Sequence, residues 1–187
     1  MDLGVSEKVA GLIEKVRDMI ENDIAPLNSE YFAEVGKHPS GDRFVLTERQ
    51  IEIMDGLKAK AKERGLWNFW LTDSARGYGL TTVEYAYLAE EMGKVGIAAE
   101  VFNCSAPDTG NMEVLERYGS QAHKDRWLGD LLEGKIRSAY VMTEPGIASS
   151  DAAQLSFEAK RDGDEFVPTE KSGGFPGQGI RAARYIF

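Results

Sequence analysis

Up to about Gly134 the apolar residues recur at three- and four-residue steps, and from Ile136 they crowd into short runs of strand length. A change of period of this kind limits the chain to a helical body followed by β-structure, because each period presents its apolar face only on its own kind of element. Val5, Val9, Leu12, Ile13, Val16, Met19, Ile20 and Ile24 form one amphipathic stripe, which must bury one face and which Pro26 is expected to end. Thr47 and Gln50 spell a capping box that opens a helix through Ile51, Met54, Leu57 and Ala61 towards Gly65. A second box, Thr81 with Glu84, opens Val83, Tyr87, Leu88 and Met92. Between these two helices Leu66, Trp67, Phe69, Trp70 and Leu71 are too apolar for a free linker and predict a buried connector. Two shorter helices fit Asn111 to Tyr118 and Ser120 to Leu132, bounded by Gly119 and Gly134.

After Gly134 the pattern predicts a strand over Ile136 to Thr143, closed by Glu144-Pro145-Gly146. Leu155 to Lys160 alternates, Arg161 to Asp164 makes a turn, and Glu165-Phe166-Val167 starts a return strand. The expected fold class is α+β, with an all-α helical domain over residues 1–134, packed as an orthogonal or bundle-like layer, and the first strands of a β-domain over 135–167.

Composition narrows the function. With 187 residues the chain holds one domain, or one complete domain and the beginning of another. A net charge of −9 argues against nucleic acid as a partner, since phosphate contacts need clustered Lys and Arg. Cys104 is the single cysteine, which excludes an internal disulfide, and His38 and His123 alone make a zinc site a poor fit. No apolar run reaches membrane-spanning length, and the acidic N-terminus lacks a signal or transit pattern, so the expectation is a cytoplasmic address without a membrane partner. The tail is of another kind: from Pro168 it carries three basic residues and one acid, leaving a net of −11 to residues 1–167.

The stretch from Tyr140 to Asp151 is the candidate carrier of chemistry. A strand end, a Pro-Gly turn and the hydroxyls of Thr143, Ser149 and Ser150 can offer donors to a flat heterocycle or a phosphate. The same residues equally suit a turn whose Ser and Asp bond only neighbouring backbone. His123, beside Lys124, Asp125 and Arg126, reads as part of a solvated helix face; Cys104 reads as a loop or core thiol, and Trp67, Trp70 and Trp127 as packing.

The run Thr143-Glu144-Pro145 followed by Ala148-Ser149-Ser150-Asp151 resembles the flavin-binding signature of the acyl-CoA dehydrogenase family. Its spacing, together with Phe102 to Glu113, Tyr118-Gly119 and Trp127, is similar to the branch that contains the large human members ten and eleven. The likeness covers about residues 1–167. It implies an N-terminal helical domain, a middle β-domain and a C-terminal four-helix domain, with FAD bound between the last two. It implies FAD-dependent α,β-dehydrogenation of an acyl-CoA, by a glutamate base that lies in the C-terminal domain. It also implies an electron-transferring flavoprotein as acceptor and a homo-oligomer. By this resemblance Tyr140, Val141, Met142, Thr143 and Glu144 lie along the flavin, Ser149 and Ser150 reach the cofactor, and Ser150 also meets the substrate. The catalytic base has no counterpart in this chain, and no metal is implied.

From Val167 the likeness breaks. The family continues with Asn-Gly and Lys-x-Trp-Trp, whereas this chain runs from Pro168 to Gly179 with no strand alternation and with two prolines, Pro168 and Pro176, where a sheet is expected. Codons permitted for Pro168 to Arg184, read in a shifted frame, spell Asn-Gly-Lys-Glu-Trp-Trp-Phe-Ser-Gly-Ala-Gly-His-Pro-Arg-Cys. A base lost just after the Val167 codon produces the observed tail over 168–187, so the expectation is a truncated and inactive fragment of a dehydrogenase. Two alternatives stand beside it: a non-enzymatic helical module that docks on an intact dehydrogenase subunit, and an acyl-CoA oxidase-like flavoprotein.

Overall fold

A computed structural model describes residues 4–71, 76–140, 147–148, 150–154 and 158–168. Its order is α1 (Glu7–Met19), α2 (Ala25–Ala33), α3 (Glu48–Glu63), α4 (Thr82–Met92), α5 (Ala98–Val101), α6 (Asp108–Tyr118), α7 (Gln121–His123), α8 (Gly129–Leu132), then β1 (Ala159–Asp162) and β2 (Glu165–Pro168). The fold is α+β: a helical body followed by a hairpin.

Both capping boxes form. Thr47 accepts from the Gln50 amide while the Gln50 side chain accepts from the Thr47 amide, and Thr81 and Glu84 do the same. Each satisfies two of the amides that a helix start leaves without partners. Gly65 and Gly134 follow α3 and α8 at φ of 67°, a left-handed conformation in which a Cβ is strained.

Pro26 does not end the first helix. Residues Ile20–Ile24 form a π turn in which the Ala25 amide reaches the Ile20 carbonyl, and α2 starts with Pro26 in its first turn. A proline there loses no needed donor, so the chain stays helical. A second π turn, Lys124–Leu128, joins α7 to α8, so the stretch predicted from Ser120 to Leu132 is continuously helical from Gln121, with Ser120 as its N-cap. The helix predicted from Asn111 begins earlier, at Asp108. Sequence periodicity does not predict α5, a single turn of four residues.

α1 packs along α4. Ser6 donates to Glu84 at 2.5 Å, Lys8 to the Gly79 carbonyl at 2.6 Å, and Arg17 pairs with Glu91 at 2.7 Å. The stripe buries Val9, Val16, Met19, Ile20 and Ile24, while Val5 lies open at its start. On α3 the buried face runs through Ile53, Met54, Leu57 and Ala61; Ile51 points outward and Gln50 takes the inner position, bonded to the Tyr31 carbonyl. The connector is buried as predicted: Leu66, Phe69, Trp70 and Leu71 join the core, with Phe69 against Tyr78 and Phe102.

Two asparagines tie that connector to the end of α8. Asn68 and Asn103 both adopt left-handed φ, 59° and 54°. The Asn103 amide donates to Asn68 at 2.7 Å and to the Leu131 carbonyl at 3.1 Å, and Asn68 and the Trp67 indole both donate to the Leu132 carbonyl. Carbonyls that the last turn of a helix leaves open are thus satisfied inside the protein.

In the hairpin, antiparallel register pairs Asp162 with Glu165 and Lys160 with Val167. The turn is therefore the two residues Gly163 and Asp164, and Arg161, predicted within it, belongs to β1. Gly163 at φ of 61° permits this tight connection.

Candidate cofactor site

Val141, Met142, Thr143, Glu144 and Ser149 lie outside the described residues. The structure describes the residues on either side of them. Of the strand expected over Ile136 to Thr143, residues 136–140 are described, and they form a single β-bridge at Arg137 rather than a continuous strand.

That segment is held from below by a buried polar network. Asp108, at the start of α6, is only 4% exposed. One of its carboxylate oxygens accepts from the Ser138 amide and the Ser138 hydroxyl, each at 2.6 Å; the other lies 2.5 Å from Arg137 Nε. One turn on, Asn111 donates to the Ser138 hydroxyl at 2.8 Å and to the Ala139 carbonyl at 3.3 Å. Arg137 also pairs with Glu100, which pairs in turn with Lys58 at 2.5 Å. Burial disfavours the Arg137 charge, but the Glu100 and Asp108 carboxylates outweigh it, and the pKa is raised. Four elements, α3, α5, α6 and the 137–139 segment, meet in this one chain of charges.

Tyr140 is 57% exposed. Past the turn Ser150 is also exposed, and Asp151 accepts from the Ala153 amide and from the Gln154 side chain, capping the short 3-10 turn Ala152–Gln154. Asp151 thus satisfies local backbone, one of the two roles its sequence position allowed.

Cys104 is buried, and burial pushes its thiol up to about 12, so it stays a neutral core group. His123 is solvent-exposed, with its ring 5.4 Å from Trp127. Trp70 is buried, and Trp67 and Trp127 pack against the core. Among the described residues no three His, Cys, Asp or Glu side chains come together as a metal site, and no helix is long and apolar enough to cross a membrane.

Sequence reasoning missed Asp108, Asn111, Arg137, Glu100 and Lys58. A signal was present in Arg137, the one charge within the strand-length run from Ile136 to Thr143, because a buried charge requires a partner. Its partners are 29 and 37 positions away and leave no local pattern.

The family model of the acyl-CoA dehydrogenase N-terminal domain matches residues 6–135. Among curated proteins the chain is similar to acyl-CoA dehydrogenase family member 10 of Mus musculus, with 46% identity over 88% of the chain, and to family member 11 of Gallus gallus, with 41% identity over 87%. It spans 15% and 20% of the lengths of those two relatives. Among solved structures it is similar to a Mycobacterium abscessus protein assigned to the acyl-CoA dehydrogenases: TM-score 0.77, 44% identity, 88% of this chain and 41% of that one. Glutaryl-CoA dehydrogenase from Mycobacterium smegmatis, at 23% identity and TM-score 0.61, shares the fold.

Proposed function

This chain belongs to the acyl-CoA dehydrogenase family, and from that premise we propose that it is the N-terminal part of an FAD-dependent enzyme that desaturates an acyl-CoA between its α and β carbons. The observation that carries the reading is the extent of the likeness: a family match over residues 6–135, and 44% identity to a solved relative across 88% of the chain. On either side of the signature the side chains of Tyr140 and Ser150 are solvent-exposed and so open to a ligand.

In this reading Tyr140, Val141, Met142, Thr143 and Glu144 bind along one side of the cofactor and orient it, and Ser149 and Ser150 add hydroxyl contacts, Ser150 also to substrate. When bound, FAD supplies the hydride-accepting chemistry. The helical body holds the segment on which these residues sit.

The division into a helical domain over 1–134, the start of a β-domain over 135–167 and an out-of-frame tail over 168–187 belongs to the same proposal. So does the inactivity of this chain alone, since the family's base lies in the C-terminal domain. For the full-length parent the reading entails a cytoplasmic homo-oligomer that takes acyl-CoA as substrate and passes electrons to an electron-transferring flavoprotein.

The test is the nucleotide sequence downstream of the Val167 codon, read in all frames. A frame that continues with Asn-Gly-Lys-x-Trp-Trp and a long open region supports the reading. If no frame does, the tail is genuine, and a helical module that docks on a dehydrogenase subunit becomes the better account. In the frame-restored protein Thr143→Val is expected to weaken flavin retention on gel filtration; undiminished retention counts against the assigned role.

A further inference from the structure

Asp108 uses both carboxylate oxygens on two consecutive residues, Arg137 through its side chain and Ser138 through its main chain and hydroxyl. Asn111 extends the hold to the Ala139 carbonyl. The first turn of α6 therefore grips residues 137–139, partly by their backbone, and a backbone grip fixes register as packing alone does not. The Ser138 hydroxyl is used both ways, donating to Asp108 and accepting from Asn111. One residue later the Tyr140 side chain is out in solvent.

We propose that Asp108 is a positioning residue, a latch that fixes the register of residues 137–139, the segment that directly precedes the flavin signature in the sequence. The latch deepens the flavin reading and rests on it only for what that signature holds. Its position on α6 favours the carboxylate, since a helix N-terminus attracts negative charge. Arg137, tied to Glu100 and through it to Lys58, sets the Asp108 carboxylate against three other elements, so residues 137–139 follow the helical body as a whole.

The experiment is amide hydrogen exchange by NMR on the 187-residue chain and on Asp108→Ala, Asp108→Asn and Ser138→Ala. In Asp108→Ala the Ser138 amide is expected to exchange on the order of 10- to 100-fold faster, the loss of a charge-assisted bond, while core amides such as Leu88 and Met54 hold their rates. Asp108→Asn keeps an acceptor and should retain most of the protection. Ser138→Ala keeps the amide bond to Asp108 and should do the same. An unchanged Ser138 rate in Asp108→Ala overturns the latch, as does equal acceleration of the core amides, which marks Asp108 as a general stability residue. Should Asp108→Ala not fold, Asp108→Asn carries the test: the Ser138 amide proton should move upfield on losing its charged acceptor, and a resonance that stays in place overturns the proposal. None of these readouts needs flavin, so failure of the latch and failure of the flavin reading give different results.

Discussion

Replacing Asn103 tests the packing of the helical body at a buried polar node. The residue is 6% exposed and sits at φ of 54°. Its amide makes bonds of 2.7 Å to Asn68 and 3.1 Å to the Leu131 carbonyl. Asn103→Ala removes both, at about 1 kcal/mol each; the Asn68 oxygen loses its donor, while the Leu131 carbonyl keeps the Gly134 amide. It also puts a Cβ without Asn's local hydrogen bonding in left-handed conformation, at about 1 kcal/mol more. The expected destabilisation is about 3 kcal/mol. Asn103→Gly loses the same bonds but not the conformational fit, so about 2 kcal/mol is expected, part of it from the freer unfolded chain. Urea unfolding followed by helical circular dichroism measures both, and the alanine variant should melt roughly 10 °C below the parent. Equal losses for Ala and Gly would refute the backbone argument. Losses under about 1 kcal/mol for both would refute the amide network.

Two further outcomes are expected. Hydrogen bonds from Arg17 and Lys94 hold the Glu91 carboxyl at about 2, below its ordinary 4.5. A depressed carboxyl stabilises the fold above its unfolded pKa and loses that contribution as pH falls. Glu91→Gln should therefore cost about 1–2 kcal/mol at neutral pH, given solvent-open partners, and the gap should close between pH 4.5 and about 2 in acid titrations of stability. Cys104, buried with its thiol pushed up to about 12, should resist a thiol reagent at mildly alkaline pH and react fully once urea unfolds the chain; rapid labelling of the native protein would contradict its place in the core.

The sequence by itself determined the helical body. Thr47 with Gln50 and Thr81 with Glu84 mark helix starts through bonds spanning three residues, and the apolar stripe from Val9 to Ile24 marks the buried face. Those signals are legible because they are local. The motifs from Phe102 to Glu113 and at the Thr143 turn were enough to indicate the family. Tertiary structure decided what local pattern cannot carry. Pro26 reads as a stop, yet the chain passes it through a π turn that leaves the proline in a first turn where no donor is needed. Ile51, which the periodicity places on the buried face, points outward, and Gln50 takes the inner position with the Tyr31 carbonyl as its acceptor. Above all, Asp108 and Ser138 stand 30 positions apart, and only the folded chain brings that carboxylate to the amide it holds.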